Sequence, residues 1–276
     1  MAEVLIKKED GALEAFDVEK LRQSLLRSST SIISADGIVK KIEENLKPET
    51  STHEIYREAF ELLKKTEKAS ALRYSIRRSL IGLGPSGFPF EKFIEKVFQK
   101  KGYQTMVGVT LDGNCVEHEI DVVAMSPKKE LFLTEVKFHN ELYLKSDTKV
   151  TLYIKARFDD LKNLEFNLFG QKLKPTRMLL VTNTKFTDNA VKYAECAGLD
   201  LISWDYPQKG NLHSLVYETD TYPISILESL SSGEKIHLIA EGIITCDDLM
   251  TSKQLHHFSP EIVSEITAEV ESINAK

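Results

Sequence analysis

Cysteine, tryptophan and long apolar segments are scarce in this chain of 276 residues, which contains three Cys and one Trp. The cysteines stand singly as Cys115, Cys196 and Cys246, so their spacing excludes a cysteine-rich zinc site and argues against a disulfide framework. No apolar run is long enough to span a bilayer, and the N-terminal residues lack the apolar stretch of a signal peptide. We therefore expect a soluble, cytoplasmic protein.

Positive charge is also in deficit, because 36 Lys and Arg face 42 Asp and Glu and the formal net charge is −6. A chain of this charge is attracted to nucleic acid only weakly as a whole, so binding would need a local basic face or a bound metal. A hydrophobic content of 42% supports a buried core, and the length allows one domain of ordinary size with two small modules.

Two predicted strands in the middle of the chain, residues 119–124 and 131–137, are joined by the turn-forming residues 126–129. They carry Asp121, Glu135 and Lys137. Because side chains alternate along a strand, Glu135 and Lys137 point the same way while Val136 points into the core. Two converging carboxylates can hold a hard divalent cation and leave the ammonium beside its bound water, as phosphodiester hydrolysis requires. The alternative is a solvated Glu135 and Lys137 pair on an exposed strand.

Further elements surround this hairpin: a predicted helix at residues 90–98 ending before Gly102, a strand at 179–183, a helix that follows residue 186, and a strand at 198–202. From about residue 88 to residue 206 the chain resembles the Mrr-like restriction endonuclease branch of the PD-(D/E)xK nuclease superfamily. The resemblance implies a mixed sheet flanked by helices.

The same resemblance implies the roles of the site residues. Asp121, Glu135 and the backbone carbonyl of Val136 would ligate Mg²⁺ or Mn²⁺, and Lys137 would orient or deprotonate the attacking water. Glu91 matches the carboxylate on the first helix of the family and would complete the acidic cluster. Its competitor is Glu95, one helical turn later.

Other polar residues near the motif have two interpretations each. His139 either touches a phosphate or leaving group from the face of Lys137, or it is a strand-end histidine in solvent. His118 is either part of the site or only a cap on the hairpin edge. Lys155 and Arg157, on a predicted helix at residues 153–161, either bind substrate phosphates or are ordinary surface charges. Residues 141–149 form the loop that we expect to close over a substrate.

The N-terminal residues predict a strand at 4–8, a tight turn at Gly11, a returning strand at 13–16, and a helix from 18 to 27 capped by Asp17. A glycine turn flanked by lysines offers backbone amides and ammonium groups to a triphosphate, although exposed hairpins also carry Lys and Glu for solubility. Residues 2–83 resemble the ATP-cone, a small regulatory nucleotide-binding domain.

By position in that family, five basic residues would contact ATP or dATP: Lys7, Lys8, Lys20, Arg73 and Arg77. The family has Lys-Arg before its Asp-Gly turn, whereas Lys8 and Glu9 precede it here, and Glu9 would repel a phosphate that it faced. Because its cysteines stand singly, this chain does not resemble the zinc-ribbon transcriptional repressors that share the ATP-cone.

We divide the chain into three parts: an ATP-cone at residues 1–84, a nuclease domain at 85–222 and a helical C-terminal module at 223–276. Residues 82–87 have the glycine and proline content of a short linker. The C-terminal part has helical spacing at 226–230 and at 235–249, interrupted at Gly242, and is similar to helix-hairpin-helix modules. It would bind nucleic-acid phosphates, or serve a protein interaction or dimerisation. The fold class is therefore α/β with several domains.

Together these features predict a metal-dependent DNA endonuclease that is regulated by ATP or dATP and assembles as a homo-oligomer. The nuclease resemblance implies a role in restriction or defence. The alternative is a nucleotide-sensing, DNA-binding or scaffold protein with an inactive nuclease fold. A third possibility is an RNA-directed nuclease, because the chemistry at the metal does not separate the two substrates.

Overall fold

The chain opens with a short antiparallel hairpin in the computed structural model, which describes residues 4–275. Strand β1 (Leu5–Lys7) pairs with β2 (Leu13–Ala15), and the turn between them contains Gly11 at φ +86°, a left-handed conformation that favours glycine. Residues 1–3, with which the predicted N-terminal domain begins, lie outside the described residues. The predicted hairpin is confirmed.

Four helices follow the hairpin: α1 (Val18–Arg27), α2 (Ile32–Asn45), α3 (Thr52–Thr66) and α4 (Lys68–Ile81). The predicted cap is confirmed, because the Asp17 side chain accepts a hydrogen bond from the Lys20 amide at 3.0 Å. The apolar faces of the helices enclose a small core that contains Leu25, Ala59 and Leu63, all fully buried. This packing holds the hairpin against the helices.

The middle of the chain supplies the elements of the central domain. They are α5 (Phe88–Lys100), β3 (Gln104–Asp112), β4 (Glu117–Met125), β5 (Leu131–Lys137), β6 (Lys145–Ser146), α6 (Thr148–Leu161), β7 (Phe166–Leu168), β8 (Gln171–Leu173), β9 (Pro175–Thr182), β10 (Lys185–Phe186), α7 (Asp188–Ala197) and β11 (Asp200–Ile202).

Five strands form one mixed sheet in the order β11-β9-β5-β4-β3. Strands β3, β4 and β5 are antiparallel neighbours, whereas β5, β9 and β11 run parallel. Helix α5 contributes to the core on one face of the sheet, which contains Val122 and Val136, and α6 and α7 to the core on the other, which contains Leu133 and Leu180. This is the predicted mixed sheet flanked by helices.

Helix α8 (Leu212–Thr219) lies before the predicted C-terminal module. That module is helical, as predicted, with a 3₁₀ turn at Ile224–Ile226, α9 (Ser232–Ala240), α10 (Cys246–Thr251), a second 3₁₀ turn at Lys253–His257, and α11 (Pro260–Asn274). The helix expected at residues 226–230 is wrong in detail, because residues 227–231 are not helical. The interruption at Gly242 is present, at φ +80°.

Helices from both ends of the chain share one apolar core. Ile76 and Leu80 of α4 belong to the same core as Ile266 and Ile273 of α11 and as the buried face of α5. The expected flexible linker at residues 82–87 contains Leu83, which is fully buried, so this segment is packed against the domain that it joins. No helix within residues 4–275 is long and apolar enough to cross a membrane.

Candidate active site

Asp121 lies on β4 where this strand separates from β5. The registered pairs between the two strands end at Val122 and Thr134. Beyond that point the amide of Val136 donates a hydrogen bond to Oδ2 of Asp121 at 2.7 Å, so a side-chain carboxylate replaces a backbone acceptor. The bond fixes the Asp121 carboxylate beside β5.

Glu135 and Lys137 follow on the same face of β5, with Val136 buried between them as predicted. Lys137 is exposed. Glu135 is largely covered, because it forms an ion pair with Arg157 of α6. The side chain of Glu135 is 20% exposed and that of Arg157 is 10% exposed. The solvated-pair alternative therefore does not describe Glu135.

Arg157 is held in place by further contacts within the domain. Its guanidinium donates to the backbone oxygen of Glu119 at 3.0 Å and to the hydroxyl of Tyr153 at 2.6 Å. The side chain is buried among protein groups, so it is not the surface charge that one interpretation proposed. Lys155 instead pairs with Asp159 on the outside of α6, at 2.5 Å.

Glu91 of α5 faces the same carboxylates, whereas its competitor Glu95 does not. Burial raises the pKa of Glu91 to about 7, and the negative charges of Asp121, Glu119 and Glu135 act in the same direction. Glu95 accepts a hydrogen bond from Thr105 at 3.1 Å and lies 3.4 Å from the Lys92 ammonium. We call Glu91, Asp121 and Glu135 the carboxylate cluster.

The carboxylate cluster has the electrostatics of a cation site. Burial raises the pKa of Glu135 to about 7, Asp121 adds to this shift, and Arg157 and Lys137 oppose it. Burial also raises the pKa of Asp121, against the lowering effect of its hydrogen bond from Val136. Carboxylates that penalise one another's ionisation are stabilised by a bound cation, and oxygen ligands suit Mg²⁺.

The number of side-chain ligands limits how such a cation could be held. Within residues 4–275, no three His, Cys, Asp or Glu side chains form a group that could hold a metal ion. A cation here would therefore need other oxygen atoms besides two carboxylates. The predicted donor set, with Asp121, Glu135 and the carbonyl of Val136, fits this requirement because Mg²⁺ also keeps bound waters.

The two histidines near the motif have structural partners. The ring of His118 lies 2.9 Å from the carboxylate of Asp160, which also accepts the backbone amide of Cys115 at 3.0 Å. His118 thus helps to cap the edge of the β3–β4 hairpin. The ring of His139 bonds Ser146 at 3.0 Å, and burial lowers the pKa of His139, so the solvent-exposed alternative does not hold.

The loop after β5 is more ordered than the sequence predicted. Residues 145–146 form a strand and α6 already begins at Thr148, so the irregular part of the loop is residues 138–144 and the helix cap at 147. The buried Asn183 clamps the start of this loop, because its side chain accepts from the His139 amide at 2.9 Å and donates to the His139 carbonyl at 2.8 Å. This role of Asn183 was not expected from the sequence.

The candidate nucleotide-binding residues do not all lie together. Lys7 and Lys8 line a cavity of about 500 Å³. Lys8 and Lys20 form ion pairs with Glu14 at 2.7 and 3.0 Å. These contacts lower the pKa of Glu14 to about 2, and the contact with Lys8 has the larger effect.

The two candidate arginines of α4 are not among the residues that line this cavity. Arg73 is buried, and its guanidinium donates to backbone carbonyls at the C-terminal end of α11, including that of Ile273 at 3.1 Å. A helix end leaves such carbonyls without intrahelical partners, which explains the contact. Arg77 donates to the carbonyl of Leu142 at 3.4 Å, in the loop after β5.

Comparison with known proteins adds to these observations. Residues 85–206 match the Restriction endonuclease family Mrr_cat. An uncharacterized protein of Archaeoglobus fulgidus is 34% identical over 157 residues, which cover 57% of this chain and 83% of that protein. A crystal structure described as a protein of unknown function superposes with a TM-score of 0.54 at 30% identity, over 68% of this chain and 98% of the other.

Two other solved structures are more distant. A repair endonuclease from Pyrococcus abyssi has a TM-score of 0.27 at 20% identity, and covers 38% of this chain and 39% of its own. The MspJI restriction endonuclease in complex with a 27-mer oligonucleotide has a TM-score of 0.31 at 16% identity, over 61% and 40%.

Proposed function

Because this chain belongs to the same family as the Archaeoglobus fulgidus protein and has a restriction endonuclease domain at residues 85–206, we propose that it is a metal-dependent endonuclease that hydrolyses DNA. The observation that carries the proposal is the convergence of Asp121 and Glu135 next to Lys137, where β4 and β5 separate. Glu91 adds a third carboxylate from α5.

Asp121, Glu135 and the carbonyl of Val136 would hold Mg²⁺ or Mn²⁺. When bound, such a cation supplies Lewis acidity and neutralises charge at the phosphate. The chain itself supplies the positioning. The Val136 amide holds the Asp121 carboxylate, and Arg157 holds the Glu135 carboxylate in one orientation.

Lys137 is the residue that we assign to the attacking water. Its exposed side chain lies on the same face of β5 as that of Glu135, two residues further along the strand. The ammonium group can orient a water molecule by donating a hydrogen bond to its oxygen, and after it has released a proton to solvent the neutral amine can accept one from that water. Its positive charge also stabilises the negative charge that develops on the phosphate.

The proposal extends to regulation by ATP or dATP at the N-terminal unit. It is supported by the hairpin with its glycine turn and by Lys7 and Lys8, which line the cavity of about 500 Å³. The family likeness supports a role in restriction or defence against foreign DNA. This role would place the protein in the cytoplasm, and we propose that it acts there as a homo-oligomer.

A second candidate is a nucleotide-sensing, DNA-binding or scaffold protein whose nuclease fold does not cut. One contact favours it: Arg157 already neutralises Glu135 and would compete with a cation for that carboxylate. The two candidates differ in whether Mg²⁺ can bind Glu135 while Arg157 is present.

Incubation of supercoiled plasmid with the protein in Mg²⁺, Mn²⁺ or EDTA tests the proposal, with a labelled RNA of the same sequence beside it. We expect nicked and linear DNA with either cation and none in EDTA. Cleavage of RNA alone would change the substrate class. No cleavage of either substrate, together with measurable ATP binding, would favour the second candidate.

A further inference from the structure

The cavity of about 500 Å³ lies between the N-terminal hairpin and the central domain. Its walls come from four sources: Lys7 and Lys8 of the hairpin, Ser51 and His53 at the start of α3, Arg78 of α4, and residues 140–143 of the loop after β5. Its volume lies within the range of small-molecule sites. A ligand in this cavity would therefore touch the hairpin and the nuclease domain at the same time.

The charges around the cavity suit an anionic ligand with several phosphate groups. Lys7, Lys8 and Arg78 are set against the two carboxylates Glu9 and Glu141. Arg78 pairs with Glu9 at 2.8 Å, and Lys8 pairs with Glu14 outside the cavity at 2.7 Å. Within residues 4–275, Lys7 has no acidic partner within ion-pair distance, which leaves its ammonium available to a phosphate.

The loop that forms one wall is connected directly to the proposed active site. It starts directly after Lys137, and the backbone of its second residue, His139, is clamped by the buried Asn183. Further along, the carbonyl of Leu142 accepts from Arg77 of α4, and the Asn140 side chain donates to the carbonyl of Pro85 at 3.4 Å.

Helix α4 thus contacts both sides of the cavity through neighbouring residues. Arg78 reaches Glu9 of the hairpin, and Arg77 reaches Leu142 of the loop. In both contacts the arginine of α4 bonds a residue that lies far away in the sequence. A ligand that displaces the Leu142 carbonyl from Arg77 would act on the loop directly.

We propose that a nucleoside triphosphate binds in this cavity, contacts residues 140–143, and sets the position of Lys137 through the clamp between His139 and Asn183. The inference rests on the proposed function, because it takes the nucleotide and the nuclease from there. It adds the location of the ligand and the route by which the ligand acts. The nucleotide contacts the nuclease domain itself and not only the hairpin.

Hydrogen exchange of the full-length protein, with and without saturating ATP, tests the location. We expect slower exchange both in peptides that cover residues 4–15 and in peptides that cover 139–146, and no change in peptides that cover 166–173. Protection confined to residues 4–15 would overturn this inference and leave nucleotide binding intact. Absence of ATP binding by calorimetry would overturn the nucleotide proposal and the inference with it.

The route is tested by Asn183→Ala, which removes both hydrogen bonds to His139, beside Asn183→Asp, which keeps the acceptor and removes the donor. In the wild type we expect ATP to change the cleavage rate by about fivefold or more, the usual lower range of allosteric coupling. In Asn183→Ala the ratio of rates with and without ATP should approach one while ATP still protects residues 139–146, and Asn183→Asp should be intermediate. An unchanged ratio in folded Asn183→Ala, or ATP binding without any effect on the wild-type rate, would overturn the proposal.

Discussion

Arg157 forms an ion pair with Glu135 inside the carboxylate cluster, and the guanidinium is bound on its other sides by Tyr153 and the backbone of Glu119. The pair supplies positive charge to acidic groups that disfavour one another. It also fixes the orientation of a carboxylate that the proposed mechanism needs. Arg157 is therefore a positioning residue in this account.

Arg157→Gln should lower the free energy of unfolding by about 2 to 3 kcal/mol in EDTA, since one partner of a largely buried ion pair is left alone. Part of that loss should return on addition of Mg²⁺, because a cation at the carboxylate cluster replaces the lost charge. Urea denaturation with and without Mg²⁺ measures both effects. Lys155→Gln is the matched control on the same helix, and it should cost less than about 1 kcal/mol because its pair with Asp159 is nearer the surface. Equal losses in the two variants would contradict the assignment.

Stability of the metal-free protein should depend on pH through the carboxylate cluster. The pKa values of Glu91 and Glu135 are raised to about 7 in the folded protein, from ordinary values of 4.5. The folded protein therefore keeps protons that the unfolded chain releases above 4.5, so this contribution to stability is present at low pH and is lost as the pH rises through 7.

Urea denaturation in EDTA at a series of pH values between 5 and 8 checks this expectation. The free energy of unfolding should fall across the series, and Glu135→Gln should make the fall smaller. A flat profile in the wild type, or an identical slope in the variant, would show that the two carboxylates are not coupled as the geometry indicates.

Replacement of Asp121 separates its structural role from its chemical role. Asp121→Asn can still accept the Val136 amide through its carbonyl oxygen, whereas Asp121→Ala leaves that amide without a partner and should cost about 1 to 3 kcal/mol. Both variants should lose cleavage, because neither has the negative charge that a cation requires. Denaturation curves and plasmid cleavage should be measured on the same preparations. An active Asp121→Asn would remove Asp121 from the metal site.

The double variant Lys7→Ala, Lys8→Ala should weaken ATP binding, because it removes the two lysine ammonium groups that line the cavity. The expected loss is about tenfold or more in affinity, since bonds between charged groups are the stronger ones. Isothermal titration calorimetry measures it, and Mn²⁺ binding to the same sample should be unchanged. Lys40→Ala, Lys41→Ala is the control, because both side chains are exposed on α2. Unchanged ATP affinity in the first variant would remove these lysines from the nucleotide site.

The sequence predicted those features that depend on local pattern. The alternation around Val136 placed Glu135 and Lys137 on one face, and Asp17 was recognisable as the cap of α1. The β4–β5 hairpin and the later strand, helix and strand of the central domain also followed from apolar periodicity and from family likeness, whereas β3 was not predicted. These patterns depend on residues that are close in sequence, so they can be interpreted without knowledge of the tertiary structure.

Contacts between distant segments were not predictable in the same way. Arg73 and Arg77 are basic residues on an amphipathic helix, and only the packing of α11 and of the loop after β5 gives them backbone carbonyls as partners. The position of Arg157 had a usable signal, since it lies at helical spacing from the buried Ile154 and Leu161. Its partner Glu135 is 22 residues away and could not be identified from spacing.

The central claim is that cleavage of DNA depends on the exposed lysine beside the carboxylate cluster, and the rate of cleavage of supercoiled plasmid in Mg²⁺ tests it most directly. Wild type should be compared with Lys137→Ala and with Lys128→Ala, an exposed lysine in the turn between β4 and β5. The account predicts that Lys137→Ala cuts at least about 100-fold more slowly, the usual range for loss of a proton-transfer group, while Lys128→Ala cuts at the wild-type rate. Equal rates in wild type and Lys137→Ala would contradict it.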